Sequence, residues 1–180
     1  MKHNNYETED VTTAIGVPFF HRQVESDPDV LSQQRQRVAD LVDEHPDGSG
    51  ANWTEGCGSW NSSDVYDNVL ENEPVFDPVK QYIGDWIMDY AGELQLQWGG
   101  CTPLVTNSWL NASPNGNVQE CHKHSHCYIS GVYYIHIPEG DGGEFVLDNP
   151  LEYDHNVGLT SKSLLSDARV NVQSGDMILF

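Results

Sequence analysis

Four of the eight histidines in this chain fall within 15 residues, at His122, His124, His126 and His136. The first three alternate with Lys123 and Ser125 inside a segment flanked by strand-forming residues. On an extended strand successive side chains leave opposite faces, so this spacing predicts three imidazoles on one face. Two such neighbours can chelate one metal ion, and a third ligand from a distant strand completes a site that keeps positions open for substrate and oxygen. Neutral imidazole suits iron, zinc, copper and nickel, so ligand type alone does not choose the metal. Three solvated imidazoles pairing with carboxylates would give the same composition. The run's place directly before the apolar stretch ISGVYYIHIP and a Gly-Gly turn favours the metal site. His136 and His155 are read as structural. Cys121 and Cys127 fall on the opposite face of a regular strand, which argues against a mixed Cys/His zinc site.

The elements that must position these groups read as helices first and strands afterwards, an α+β arrangement. Ile15, Val17, Phe19 and Phe20 suggest a short strand. A helix starts at Asp27-Pro28, with Leu31, Val38, Leu41 and Val42 at helical spacing, and ends near His45-Pro46. Residues 46–63 are a Gly, Ser and Asn-rich loop carrying Trp53 and Trp60, two indoles that either pack or roof a pocket. The strongest helix begins near Pro74, where Phe76, Val79, Ile83, Trp86, Ile87, Tyr90 and Leu94 recur three and four apart. Strands follow: PLVTNSWLN, VQECHKHSHCYISGVYYIHIP, EFVLDN, ARVNV and, after an SGD turn, MILF. Residues 149–166 read as a long loop.

Composition narrows the function classes. Lys and Arg number 8 against 28 Asp and Glu, a formal charge of −20. Eight dispersed cations cannot supply the counterion-releasing footprint of a nucleic-acid binder. The 38% hydrophobic share, with five Trp, eight Tyr and five Phe, is that of a folding chain and not of a disordered acidic one. No run approaches the ~20 apolar residues of a membrane span, and the first residues lack the basic and apolar regions of a signal peptide, so a cytoplasmic protein with no membrane partner is expected. The four cysteines contain no CxxC pair and are expected to be reduced and mostly buried.

The run NSWLNASPNGNVQECHKHSHCYISGVYYIHIPEGDGGEFVLDNP resembles a family of 2-oxoglutarate- and Fe(II)-dependent oxygenases of marine phages and bacteria, related to the prolyl-4-hydroxylases. The shared elements are Trp109-x-Asn111, a turn with Gly116, the His122-x-His124 pair before Ser130-Gly-Val-Tyr-Tyr134, and an Asp148-x-Pro150 close. Weaker echoes lie at Val17-Pro18-Phe19 and Ser59-Trp60. By this resemblance His122 and His124 are the metal pair, and His126 occupies a position the family leaves free.

The resemblance implies a double-stranded β-helix, or jelly roll, with N-terminal helices packed on it in a single domain spanning residues 1–180. It implies Fe(II) as cofactor and 2-oxoglutarate as co-substrate, whose oxidative decarboxylation drives hydroxylation of a small-molecule or peptide substrate. His124 stands where wider relatives place a carboxylate. Asn111 and Tyr134 are the candidate polar contacts to 2-oxoglutarate. The family pattern continues past the Gly175-Asp176 turn to a further His ligand and a carboxylate-gripping Arg, which Arg169 and His155 do not match by position. The chain is therefore expected to be C-terminally truncated relative to the family and to form little succinate.

Two other readings compete. A cupin also uses an HxH pair, but expects a Glu shortly after it, where Tyr128, Ile129 and Ser130 stand. A non-catalytic metal-binding protein on an oxygenase-like fold draws its support from the unmatched His and Arg.

Overall fold

A computed structural model of the chain describes residues 11–14, 17–48, 58–140, 143–148 and 167–180. Trp53, Cys57, His155, Pro150 and the 149–166 loop lie outside the described residues. Mixed helix and sheet are both present, as the α+β expectation requires. The chain divides into two compact units, one formed by residues up to Gln23 with Tyr128–Phe180, the other by Val24–Cys127.

The first unit is built on β1 (Val11–Ala14), β2 (Val17–Gln23), β5 (Gly131–Tyr133) and β8 (Asp176–Leu179), an antiparallel sheet in the order β1-β2-β8-β5. A two-stranded sheet pairs β6 (Gly143–Leu147) with β7 (Ala168–Val172). Residues 176–179 are buried throughout because β8 is paired on both edges. The core gathers Phe19, Val172 and Ile178, with Tyr134, Ile137, Phe145, Val170 and Phe180 packed against them. Gly131 is required by close approach: a Cβ there would meet Leu179 Cδ2 at 2.8 Å. Among the described residues the sheets are small and antiparallel, short of the full jelly roll the resemblance implies.

The second unit holds the helices. In α1 (Pro28–Glu44) the Asp27 carboxylate accepts from Asp29 N–H at 2.9 Å and Pro28 supplies a preset first-turn φ. Only Leu41 of the predicted apolar stripe is fully buried; Gln34 shares that burial by donating to Val75 O at 3.3 Å. A short α2 (Val69–Asn72) and a 3₁₀ turn (Pro74–Phe76) lead into α3 (Asp77–Glu93), which buries Val79, Trp86, Tyr90 and Ala91. The predicted stripe of this helix is met at Phe76, Val79, Trp86 and Tyr90, while Ile83, Ile87 and Leu94 are half-buried.

Two strand residues on each side, β3 (Trp60–Asn61) and β4 (Asn111–Ala112), join antiparallel. Trp60 is a packing residue: it is buried, its indole N–H donates to His45 O at 2.8 Å, and it fills the space where a Cβ on Gly48 would stand. Arg37 grips Glu73 with two donors at 2.8 Å each, and Tyr66 donates to the same carboxylate at 2.6 Å. The guanidinium, first of all, holds the Glu73 carboxyl below its ordinary range, and Glu73 in turn raises Arg37 and Tyr66.

Candidate metal centre

The histidine run does not form the predicted strand. Residues 113–130 are irregular apart from turns and one isolated bridge residue, and His126 has a φ of 68°, in the left-handed region. The reason lies in its composition. Between Glu120 and Tyr128 every residue is exposed except the half-buried His124, so no apolar face rewards extension into a sheet. The PLVTNSWLN stretch likewise contributes only Asn111 to a strand, and the following stretch only Gly131–Tyr133. The inference that parity puts all three imidazoles and Tyr134 on one face falls with the strand. So does the placement of Cys121 and Cys127 on an opposite face. Cys101, Cys121 and Cys127 are exposed and outside any disulfide, a correction to the expectation of mostly buried thiols.

Two of the histidines meet nonetheless. The rings of His122 and His124 lie 4.9 Å apart between centroids at an interplanar angle of 76°. His122 Nδ1 lies 2.8 Å from Glu120 O. A carbonyl oxygen only accepts, so Nδ1 carries the hydrogen and, in the neutral ring, Nε2 presents its lone pair outward. This is the arrangement metal-ligating histidines favour, one ring nitrogen fixed by a carbonyl and the other turned to the ion. His124 is half-buried, and desolvation, aided by His122, lowers its pKa and favours the neutral ring a metal needs. Its ring also lies 5.5 Å from the Trp109 indole between centroids, at an interplanar angle of 38°.

The segment leading to this pair is held firmly. Ser108 O accepts from Val69 N–H at 3.1 Å, and Ser108 Oγ accepts from Leu70 N–H and donates to Asn68 Oδ1, both at 2.9 Å. Ser62 and Leu110 exchange main-chain and hydroxyl bonds at 3.0 Å. Asn111 belongs to the same unit; it is exposed, and its Oδ1 accepts from Asn61 Nδ2. His126 and the exposed His136 are not part of the ring contact between His122 and His124.

Fe(II) can be tested against this donor set. Two imidazoles with one tautomer fixed suit it as part of a facial ligand set. Among the described residues no group of three or more His, Cys, Asp or Glu side chains converges to hold an ion. His122 and His124 thus supply two nitrogen donors, and among the described residues no third such side chain joins them.

Tyr134, the other candidate contact, belongs to the first unit. Its N–H donates to Asp176 O and its carbonyl accepts from Gly175 N–H, at 2.8 and 2.7 Å. Burial first, then the Asp176 charge, push its phenol up to about 12, so it is a hydrogen-bond donor at neutral pH. Nearby in that unit is a pair the sequence reading passed over. His21 Nε2 lies 2.9 Å from Asp176 Oδ2, and the same oxygen accepts from Gln173 N–H at 3.0 Å. A groove of about 440 Å³ opens beside His21, Arg22, Gln23 and Asp176. A histidine five residues after the Ile15-Gly16 step carried no sequence signal, because its partner is 155 residues away.

Residues 107–180 match the sequence model of a family described as "Putative 2OG-Fe(II) oxygenase". The matched stretch contains Trp109, Asn111, His122, His124, Tyr134 and the Gly175-Asp176 turn, and covers less than half of the chain. No curated protein matches the chain. Among the described residues no helix is long and apolar enough to cross a membrane.

Proposed function

We propose that this chain is a 2-oxoglutarate- and Fe(II)-dependent dioxygenase in which His122 and His124 bind the metal. The observation that carries this reading is the His122 ring, fixed through Nδ1 by the Glu120 carbonyl and set 4.9 Å from His124. The match of residues 107–180 supports it. Iron and 2-oxoglutarate, when bound, would supply oxidative decarboxylation by dioxygen coupled to hydroxylation, one oxygen atom going to succinate as carbon dioxide leaves and the other to the substrate as its hydroxyl. The chain's own residues hold and orient. His122 and His124 donate nitrogen lone pairs. Asn111, with its Oδ1 engaged by Asn61, keeps its amide N–H groups as donors for a co-substrate carboxylate. Tyr134, in the first unit, stays a separate candidate donor, its phenol protonated at neutral pH. The double-stranded β-helix belongs to this reading, with the antiparallel sheets of the first unit as part of it.

The test is anaerobic titration of the protein with Fe(II) and then 2-oxoglutarate, read by the visible charge-transfer band that a chelated 2-oxo acid gives on ferrous iron. The band is expected with the wild-type chain and absent with His122→Ala or His124→Ala. Iron binding with no band at saturating 2-oxoglutarate would overturn the oxygenase reading and leave a metal-binding protein.

A further inference from the structure

The histidine loop has a mechanical difficulty that the structure answers. A metal pair needs its rings held in one mutual orientation, since a loosely held site loses affinity and activity. Yet His122 and His124 sit on an irregular stretch whose neighbours are exposed, and the His122 bond to Glu120 O is local to that stretch. Some contact must tie the rings to a fixed part of the unit.

Trp109 is in the right place for that. Its main chain lies between Ser108 and Leu110, both hydrogen-bonded to residues 62, 68, 69 and 70 of the helical part. Leu110 is buried at 8% exposure and fixes the segment inward; Trp109 keeps 37% exposure, large for an indole with packing available. What its ring does meet is His124, at 5.5 Å and 38°. His124 then meets His122 nearly edge-on. The three rings form a chain running from an anchored segment to the first proposed ligand.

Resting on the metal-pair reading above, we infer that Trp109 is a positioning residue for the metal centre, its indole holding the His124 ring in the orientation that lets His122 and His124 share one ion. An aromatic ring contact of this kind corresponds to about 2- to 10-fold in an equilibrium constant. An indole whose ring centre lies 5.5 Å from that of a proposed ligand imidazole is also close enough to report the ion's arrival, because a bound Co(II) quenches nearby indole fluorescence.

The experiment measures Co(II) affinity of the full chain by calorimetry and Co(II)-dependent tryptophan quenching, for wild type, Trp109→Ala, Trp109→Phe, His122→Ala and His124→Ala. Far-UV circular dichroism and the thermal midpoint verify that each variant folds. Trp109→Ala is expected to weaken Co(II) binding about 2- to 10-fold with its midpoint little changed. Trp109→Phe restores the affinity to within about twofold of wild type, since a ring still packs on His124. Both variants lose the quenching component that the wild type shows, although four tryptophans remain. Wild-type Co(II) affinity in Trp109→Ala, or equal weakening by Phe and Ala, overturns the inference while His122→Ala and His124→Ala still weaken binding. If both histidine variants bind Co(II) like wild type, the metal pair itself is refuted and the inference falls with it.

Discussion

The Gln173–Asp176 turn and the Glu120–Cys127 loop each set a histidine against a partner, and they do so in opposite ways. Asp176 is 3% exposed, its carboxylate takes hydrogen bonds from a main-chain N–H and from His21, and the strand it opens is paired on both edges. His122 and His124 stand on an irregular, largely exposed stretch, oriented by one carbonyl and a row of rings. A buried polar group in a sheet is satisfied by the sheet and serves the fold. A half-exposed imidazole pair on a loop keeps its coordinating power for something that arrives from outside.

The widest way to break this comparison is to exchange the roles by mutation. His122→Ala and His124→Ala are each expected to lower Fe(II) affinity by more than about 100-fold, beyond what loss of a supporting partner does, and to leave the urea midpoint almost unmoved. Asp176→Asn is expected to do the reverse, lowering stability by about 2 kcal/mol through loss of charged hydrogen bonds in a buried place, with Fe(II) affinity unchanged. Isothermal titration and urea denaturation on the same preparations decide the matter. An Asp176→Asn protein with metal affinity as poor as His122→Ala would erase the distinction between the two regions.

A smaller effect sharpens it from within the second unit. Glu73 is a buried carboxylate held by Arg37 and Tyr66, so it resembles Asp176 more than it resembles the histidines of its own unit. Its folded pKa lies below the unfolded value, first because of the Arg37 hydrogen bonds. The stabilisation is therefore fully present above about pH 4.5 and is lost as pH falls below that through the folded pKa. Because Arg37 is partly exposed and screened, Glu73→Gln is expected to cost about 1 kcal/mol at pH 7. The difference from wild type should shrink on acidification. Urea midpoints at pH 7 and pH 3.5 measure it, and a constant difference would show that packing and not charge makes the contribution.

What the sequence disclosed follows the physics of each region. The spacing of Phe76, Val79, Trp86 and Tyr90 located the long helix because a core-facing stripe repeats with the helix turn, and Asp27-Pro28 marked the start of the first helix through its cap. The final strand was visible as an apolar run because it is buried on all sides. The histidine stretch misled because alternation is a strand signal only where one set of side chains can be buried. Here both sets are polar, and the chain turns at His126 instead. The rings of His122 and His124 still meet, since residues two apart in an irregular loop can bring their rings together. The Trp109 and Glu120 contacts that orient them, and the His21–Asp176 pair, depend on neighbours that no local pattern announces.

The smallest expected effect concerns His126, and it isolates the turn from the chemistry. At a φ of 68° any residue with a Cβ is strained by about 1 kcal/mol, which glycine avoids. Glycine also raises the entropy of the unfolded chain by a comparable amount, so His126→Gly is expected to shift stability by less than about 0.5 kcal/mol. It should keep the turn and with it the approach of His122 to His124, holding Fe(II) affinity within about twofold of wild type. His126→Ala keeps the wild-type strain and, like His126→Gly, loses the imidazole, so the two variants together separate the turn from the ring. If His126→Gly instead weakens Fe(II) binding by ten-fold or more, the third imidazole is a ligand. The turn would then be what delivers it to the ion, and the comparison would gain a three-histidine loop in place of a pair.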